Sequence, residues 1–479
     1  MEKLYFIVGS QDLYGDECLR QVAADSAEMA AFLKEKLAGV VDVELLPTVV
    51  TSETCIADCR AANNDDDCVG VITWMHTFSP AKMWIKGLQE LRKPLLHLHT
   101  QANEKLPYDT IDMDFMNLNQ AAHGDREYGF ILARLGIPHE VVAGFYKHDY
   151  VIEKIKKFAD VAKAIAFSRK LKVAAFGNNM REVAVTDGDR VESQIRYGWE
   201  VNYYAIGDLV DTINALTDEE IDAQMDEYKS KYIMKTDRID SVREQAKYEA
   251  GLAKFLKERG LGAYTDTFQD LHGLRQLPGI ASQSLMGKGI GFGPEGDYKI
   301  SALSAVLMKM SESREGATGF IEDYTYDLTQ GEELELASHM LEVPVTFAAT
   351  QPEIDVLPLG IGGKEDPARL IFDGVTGEGI QVTMVDMGTH FRLICADIEL
   401  VKQPKPMPNL PVARIMYRHK PNFAIGTAAW CYAGGAHHSV VSTALTRDDI
   451  AMFARLTGTE LITIGDDTTE ADLQKFFTK

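Results

Sequence analysis

LYFIVGS, residues 4–10, is an almost unbroken apolar run that ends in a glycine and a serine. Three similar runs follow in the first third of the chain: CVGVITWM (68–75), KPLLHLHT (93–100) and HEVVAGFY (139–146). Between the first two runs, apolar side chains recur at helical spacing at Leu19, Val22, Met29, Phe32, Leu33 and Leu37. Apolar strands that alternate with amphipathic helices predict a parallel sheet covered on both faces.

A second α/β unit is predicted after the helix-like stretch 151–170. It starts with LKVAAFG (171–177), continues through EVNYYAIGD (200–208) and a charged helical region (218–259), and closes with SALSAVLMKMSES (301–313), a helix with an apolar stripe. The two units predict two doubly wound parallel-sheet α/β domains, residues 1–167 and 168–315.

The character of the chain changes after Gly316. Strand-like runs separated by Gly or Pro are VPVTFAAT (343–350), ARLIFDG (368–374), GIQVTMVDMG (379–388), HFRLICADIELV (390–401) and NFAIGTAAWCYAGG (422–435). Only TRDDIAMFARLTG (446–458) is clearly helical. Residues 316–479 are therefore predicted to form a mostly antiparallel, barrel-like β domain.

Composition narrows the class of protein. The 479 residues are 46% hydrophobic and 25% charged, as in soluble globular proteins, and the net charge is −23. Nucleic acid and anionic membranes need basic patches, so neither is expected as a partner, whereas a neutral ligand such as a free sugar is compatible. MEKLYFIVGSQ reads as a first strand rather than a signal peptide, and six cysteines in so long a chain predict no disulfide framework. A cytoplasmic location is expected.

Two glutamates and two histidines stand in unusual local sequences. They are Glu295 in GFGPEGD, Glu322 in FIEDYTYD, His339 in ASHMLEV and His438 in AGGAHHSV. Two carboxylates with two imidazoles suit a divalent ion such as Mn²⁺, Co²⁺ or Mg²⁺, whereas a thiolate-rich set would indicate a structural zinc. Taken singly, Glu295 also fits a solvated turn residue and His339 a core histidine.

Two glycine-rich stretches favour no nucleotide. Gly291, Gly293 and Gly296 spell G-x-G-x-x-G, but the turn comes late in its α/β unit and contains Pro294. LGIGGKEDP (359–367) lacks the spacing of a phosphate-binding loop and is predicted to be an ordinary loop. No nucleotide cofactor is expected.

Several longer segments resemble the L-arabinose isomerase family. They are GSQDLYG (from Gly9), MDFMNLNQAAHGDREYGF (from Met113), FGNNMREVAVTDGD (from Phe176), TFQDLHGLRQLPG (from Thr267) and EDYTYDL (from Glu322). The resemblance runs from the first strand to the last helix.

The resemblance implies a set of site residues. Glu295, Glu322, His339 and His438 would hold the catalytic ion, usually Mn²⁺, and the two glutamates would also move protons. Sugar-pocket residues would be Gln11, Leu13, Tyr14, Gln120, His123, Met180 and Phe268, with His437 as a further pocket residue. The family is a homo-hexamer whose pocket a neighbouring subunit completes, so Gln120 and His123 would act in trans.

The implied reaction is an intramolecular oxidoreduction, the conversion of L-arabinose to L-ribulose in arabinose catabolism, with D-galactose to D-tagatose as a side activity. It would proceed by proton transfer through an enediol, and a hydride shift stays open as an alternative. Three other functions also stay open: an isomerase of another sugar, a non-catalytic sugar-binding protein and a metal hydrolase.

Overall fold

The computed structural model describes residues 1–360 and 362–477 and divides the chain into two compact units. The first unit contains Met1–Ala166 and Ala451–Gly458. The second contains Phe167–Ile450 and the described residues from Thr459 onward. No helix in the described part of the chain combines the length and the apolar character needed to cross a membrane.

The first part of the chain forms a five-stranded parallel sheet in the order β2-β1-β3-β4-β5. Its elements are β1 (Lys3–Gly9), α1 (Gly15–Lys36), β2 (Asp42–Leu45), α2 (Ser52–Asn64), β3 (Cys68–Met75), α3 (Ile85–Glu90), β4 (Leu95–His99), α4 (Met113–Leu118), α5 (Ala121–Leu135), β5 (Glu140–Ala143) and α6 (Asp149–Ser168). All four predicted strands are confirmed. Every residue of β3 is buried, as a strand covered by helices on both faces requires.

A second parallel sheet, in the order β10-β9-β6-β7, lies in the second unit. The elements of this region are β6 (Lys172–Phe176), α7 (Arg190–Tyr197), β7 (Glu200–Tyr204), α8 (Ile206–Asn214), α9 (Asp218–Lys231), β8 (Ile233–Met234), α10 (Ile239–Arg259), β9 (Ala263–Asp266), α11 (Gly279–Gly287), β10 (Gly291–Pro294) and α12 (Tyr298–Ser311). The predicted charged helical region is two helices, α9 and α10, separated by the short strand β8.

The glycines of the G-x-G-x-x-G stretch have a packing role. A Cβ atom on Gly291 would lie 2.2 Å from the Ser301 carbonyl oxygen, and one on Gly293 would lie 2.6 Å from the Asp297 carbonyl oxygen. Glycine at these two positions lets α12 pack directly against β10. Glu295 lies in the turn between β10 and α12. The close approach of this helix and strand places the turn beside the antiparallel strands that follow α12.

The rest of the second unit is built around a closed antiparallel barrel. Its elements are β11 (Thr318–Asp327), β12 (Leu334–Ser338), β13 (Glu353–Val356), β14 (Ala368–Ile371), β15 (Gly377–Asp386), β16 (Phe391–Val401), β17 (Arg414–His419), α13 (Phe423–Ala433), β18 (His438–Ser442), β19 (Glu460–Ile464) and α15 (Glu470–Leu473). The helix α14 (Arg447–Thr457) begins in this unit, and its residues from Ala451 onward belong to the first unit. The barrel order is β15-β18-β11-β12-β17-β16, closed by pairing of β16 with β15, and β19 joins β16 in parallel. Strands β14, β13 and β8 form a small separate sheet.

Two predictions in this region are wrong. Residues 422–435 were expected to be strand-like, but Phe423–Ala433 is the helix α13. The Asn422 side chain accepts a hydrogen bond from the Ile425 backbone N–H at its start, and Gly434 ends it in the left-handed conformation. Its many alanines favour a helix over a strand. The run 343–350 forms no strand. It contains a short 3₁₀ turn, Val345–Phe347, and a single bridge between Ala348 and Gly374, because Pro344 has no backbone N–H to give to a strand ladder.

Other predictions agree with the described residues. The helix predicted for 446–458 is α14. The helix predicted for 301–313 is α12, which begins at Tyr298 and ends at Ser311. The loop predicted for 359–367 contains no helix or strand among its described residues. Ile361 in that loop, and the last two residues of the predicted third domain, lie outside the described part of the chain.

Candidate active site

The four predicted metal ligands come together in the second unit through strand register. Glu322 on β11 is the direct antiparallel partner of His438, the first residue of β18, so the two side chains project from the same face of the sheet. On its other side Glu322 pairs with Ser338, and His339 follows Ser338 at the end of β12. Glu295 lies in the turn between β10 and α12, with a backbone φ of +61°.

The ligand atoms face one another across a few ångströms. His339 Nε2 lies 3.5 Å from Glu322 Oε2, and His438 Nε2 lies 3.8 Å from Glu295 Oε2. One ligand atom from each of Glu322, His339 and His438 lies within 4.8 Å of the others, and the same holds for Glu295, His437 and His438. Donors around one ion with bonds of about 2.1 Å are separated by about 3 to 4 Å, so this spacing fits a divalent ion.

His438 provides the clearest test of that fit. Its side chain is completely buried, and its Nε2 has no hydrogen-bond partner among the described residues. Its other nitrogen, Nδ1, lies 3.2 Å from Asp297 Oδ2 and donates to it. This contact leaves the lone pair of Nε2 directed toward the glutamates, which is the tautomer that a metal ligand needs. The residues present therefore fit a divalent ion.

His339 is oriented in the same way by Glu342. Its Nδ1 is in direct contact with Glu342 Oε2, which also accepts a hydrogen bond of 3.0 Å from the Leu341 backbone N–H. Burial alone would lower the pKa of His339, but the negative charges of Glu342, Glu322 and Glu295 raise it to about 9. The site is thus negative enough to attract a cation, either a proton on the imidazole or a metal ion that replaces it.

Glu295 is held as a carboxylate. Burial works to raise its pKa, but the facing His437 and the neighbouring imidazoles of His438 and His339 outweigh burial and lower the pKa. His437 Nε2 lies 4.0 Å from an oxygen of Glu295 and 4.0 Å from an oxygen of Glu322. The His437 side chain is 39% exposed, whereas that of His438 is fully buried. Of these two histidines, His437 is therefore the one that faces open space beside the two glutamates.

A buried lysine supports the Asp297 side of the site. Lys299 is completely buried, and its Nζ lies 3.1 Å from Asp297 Oδ1. The same Nζ donates to three backbone carbonyls at distances of 2.9 to 3.0 Å, those of Val185, Thr186 and Asp187. Burial would raise the pKa of Asp297, but the charge of Lys299 and the contact with His438 lower it, so Asp297 stays ionised.

Sequence reasoning missed Asp297 and Glu342. Each orients a predicted ligand through its far imidazole nitrogen, and each was already present in a quoted motif, two residues after Glu295 and three residues after His339. A search for carboxylates near each predicted histidine ligand would have found Glu342. Asp297 is 141 residues from His438, so only the fold brings this pair together.

Three predicted pocket residues lie close to this cluster. The Met180 backbone N–H donates to the Glu295 carbonyl oxygen at 2.9 Å. Phe268 lines a small cavity together with Glu295 and His339. With His437, they form the part of the predicted sugar pocket that the structure places beside the candidate ligands. Phe320 packs edge-on against the rings of His339 and His438, at centroid distances of 5.4 and 5.5 Å.

The other five predicted pocket residues belong to the first unit. Tyr14 donates a hydrogen bond of 3.3 Å to Gln120 Oε1, and the His123 ring stacks on Phe78 at 4.4 Å. Leu13 is 81% exposed, and Gln11 immediately precedes the short 3₁₀ turn Asp12–Tyr14. The Gln120 backbone N–H bonds to the His76 carbonyl oxygen just beyond β3, so this group lies at the carboxyl edge of the first sheet. Ligands commonly bind at that edge of a parallel sheet.

Comparison with known proteins gives a consistent result along the chain. Three protein-family models match it: the L-arabinose isomerase N-terminal domain over residues 1–170, the central domain over residues 172–313 and the C-terminal domain over residues 317–460. An L-arabinose isomerase from Oceanobacillus iheyensis is 50% identical over 469 residues, which are 97% of this chain and 98% of the relative. Another from Shouchella clausii is 49% identical over 474 residues, 99% of this chain and 97% of the relative.

A third relative, the L-arabinose isomerase of Geobacillus stearothermophilus, is 49% identical over 472 residues, which are 97% of this chain and 95% of the relative. The matches cover both the parallel-sheet regions and the barrel, including every residue of the histidine–glutamate cluster. The chain therefore belongs to the L-arabinose isomerase family, a family of isomerases.

Proposed function

We propose that this protein converts L-arabinose to L-ribulose in arabinose catabolism, with D-galactose to D-tagatose as a side activity. Membership of the family supports the reaction. The observation that carries the proposal is the buried, unpartnered Nε2 of His438, 3.8 Å from Glu295 and within the same cluster as Glu322 and His339. The chain would act in the cytoplasm and use no nucleotide cofactor.

Glu295, Glu322, His339 and His438 would hold a divalent ion, Mn²⁺ in our proposal, with Co²⁺ or Mg²⁺ as substitutes. When bound, such an ion supplies Lewis-acid stabilisation of the negative charge that develops on two neighbouring sugar oxygens. Asp297 and Glu342 would fix the two imidazoles in the orientation that this ligand set needs.

The two glutamates are the proposed acid–base pair. A carboxylate removes the proton from C2 of the aldose and returns it to C1, while a proton moves from the oxygen on C2 to the oxygen on C1. The product is the ketose, and the intermediate is a cis-enediol. The lowered pKa of Glu295 supports its starting the cycle as a base. A transfer of hydride from C2 to C1 is the alternative route, and it needs no base.

The remaining predicted pocket residues are proposed to bind the sugar hydroxyls. Met180, Phe268 and His437 lie beside the cluster in this chain, and Gln11, Leu13, Tyr14, Gln120 and His123 would complete a pocket in a homo-hexamer, with Gln120 and His123 acting in trans. Large apolar side chains exposed near the latter group support burial by a neighbouring subunit: Leu13 at 81%, Met113 at 63% and Met116 at 51%.

The proposal also keeps the three-domain division at residues 1–167, 168–315 and 316–479. The two parallel sheets and the barrel each fall inside one of these ranges. The small sheet of β14, β13 and β8 does not, because β8 lies in the second range and pairs with β13 of the third. This division would place Glu295 in the second domain and the other three ligands in the third.

The decisive experiment is ketose formation from L-arabinose by metal-stripped protein, with and without added Mn²⁺, beside Glu295→Gln. We expect L-ribulose only with Mn²⁺, and a near-complete loss in the variant. Glu378→Gln is the matched control, because Glu378 is 74% exposed on the barrel.

Ketose from another sugar alone would reassign the substrate, and metal-independent sugar binding without turnover would favour a binding protein. Deuterium at C2 that exchanges with solvent would distinguish the enediol from the hydride route.

A further inference from the structure

A second cluster of histidines and a carboxylate lies in the first unit, and it shares no residue with the candidate metal ligands or the predicted sugar pocket. His97 and His99 are alternate residues of β4, so both side chains project from the same face of the strand. Asp125 lies on α5. The cluster thus joins a central strand of the first sheet to one of the helices that cover it.

The three side chains are close enough to share one ion. His97 Nε2 lies 2.9 Å from Asp125 Oδ1, and His99 Nδ1 lies 3.0 Å from Asp125 Oδ2. One nitrogen from each histidine and one oxygen of Asp125 lie within 4.8 Å of one another. The Asp125 side chain is completely buried and that of His97 is 4% exposed, but that of His99 is 35% exposed. The cluster is therefore closed on the protein side and open to solvent on one side.

The hydrogen bonding of the carboxylate is incomplete. Asp125 Oδ1 accepts from His97 and, at 3.3 Å, from the Met75 backbone N–H. Oδ2 is buried and receives no hydrogen bond from any described residue, although His99 Nδ1 lies 3.0 Å from it. A buried carboxylate oxygen without a hydrogen bond is costly and favours a cation at its open side.

We propose that His97, His99 and Asp125 form a second divalent metal site, of the kind that binds Zn²⁺. Two imidazoles and one carboxylate are ligands that Zn²⁺, Co²⁺ and Ni²⁺ prefer, whereas Mg²⁺ and Ca²⁺ prefer oxygen alone. The exposed side of His99 provides the entry path and an open position for water. The inference does not depend on the proposed function, since the two sites share no residue.

The location suggests a structural effect. An ion at this site would tie β4 to α5, the helix that begins after Gln120 and contains His123. Occupancy would therefore stabilise the first unit and hold these two residues in place. It would act on the folded state in the way that any ligand of the native form does.

The test uses the full chain with the candidate active site disabled by His339→Gln and His438→Gln. Calorimetric titration of this background with Zn²⁺ should show one ion bound per chain. Adding His99→Gln should abolish binding. His148→Gln is the matched control, because His148 is also a partly exposed histidine of the first unit, 3.4 Å from a carboxylate oxygen of Glu104. It should bind Zn²⁺ like the background.

A second variant distinguishes loss of a metal ligand from loss of the fold. Asp125→Asn preserves the size of the side chain and one acceptor oxygen while removing its charge, and circular dichroism would confirm the fold. In the otherwise unmodified protein, His99→Gln and Asp125→Asn should each lower the number of bound Zn²⁺ ions by one. The proposal is overturned if the background binds no Zn²⁺, or if folded His99→Gln and Asp125→Asn bind as many ions as their parents.

Discussion

The two histidine–carboxylate clusters use the same chemical groups at different spacings. In the candidate active site, the imidazole Nε2 atoms lie 3.5 to 4.0 Å from the facing oxygens of Glu295 and Glu322. In the first unit, imidazole nitrogens lie 2.9 and 3.0 Å from the oxygens of Asp125. The wider spacing leaves room for an ion with little rearrangement, whereas in the first unit an ion would have to replace the proton that His97 shares with Asp125. We therefore expect tighter metal binding at the candidate active site.

The largest effect should come from Glu322→Gln. The amide keeps the size of the side chain but can neither move a proton nor supply a negative ligand, so kcat for L-arabinose should fall by about 10³-fold. Steady-state ketose formation at saturating Mn²⁺ measures it. Glu378→Gln should keep the wild-type rate, and a loss of less than tenfold in Glu322→Gln would remove Glu322 from the chemistry.

Metal binding should produce the next largest effect, on stability. At a Mn²⁺ concentration about 100-fold above its dissociation constant, the folded state should gain about 3 kcal/mol, because the ion binds the assembled ligands and not the unfolded chain. Thermal unfolding with and without Mn²⁺ measures the gain. His438→Gln should lose most of it while His99→Gln keeps it. Equal losses in the two variants would contradict the distinction between the clusters.

Glu342→Gln should have a smaller effect, confined to metal affinity. The glutamine still accepts the hydrogen bond from the Leu341 backbone N–H, but the negative charge beside His339 Nδ1 is lost. Orienting carboxylates of this kind typically contribute 10- to 100-fold to metal affinity. The Mn²⁺ concentration that gives half-maximal activity should rise by that factor, with kcat largely restored at high metal. An unchanged half-maximal Mn²⁺ concentration would show that the charge of Glu342 does not contribute to metal binding by His339.

The last prediction concerns the pH dependence of a barrel pair that holds no ion in our proposal. His419 Nε2 lies 2.7 Å from Glu335 Oε2. Burial raises the pKa of Glu335 from 4.5 to about 7 and lowers the pKa of His419 from 6.5 to about 4. Above pH 4.5 the unfolded chain releases the Glu335 proton while the folded chain keeps it, so this glutamate lowers stability as pH rises toward 7.

Glu335→Gln removes that contribution. Its free energy of unfolding should therefore increase relative to wild type as the pH rises from 4.5 to 7, the unfolded and folded values of the glutamate. Urea unfolding at several pH values measures the difference. Glu399→Gln on the barrel exterior, 43% exposed, is the control. A difference between Glu335→Gln and wild type that does not change with pH would mean that Glu335 is ionised in the folded barrel.

Much of the fold could be predicted because the strands of the two parallel sheets are long apolar runs with turn residues at their ends. The helix α13 was missed because a short run bounded by Pro421 and Gly434 also fits a strand, and its boundaries depend on Asn422 and Gly434. Capping residues at these two positions were the available signal.

The candidate site was predicted through family resemblance, since no short spacing rule connects its ligands. What the sequence could not provide is the register that pairs Glu322 with His438, or the burial that leaves His438 Nε2 unpartnered. Both depend on contacts between strands more than 100 residues apart, and local patterns contain no information about them.

The backbone at Glu295 has a consequence for any attempt to engineer this protein. Its φ of +61° lies in the left-handed region, where glycine or asparagine has a lower conformational energy than glutamate. Gly296 follows with a φ of +83°. A library selected for heat resistance alone would therefore tend to replace Glu295 with glycine. Such clones would survive the screen and carry no isomerase activity, so directed evolution of this chain has to select for turnover and thermal tolerance together.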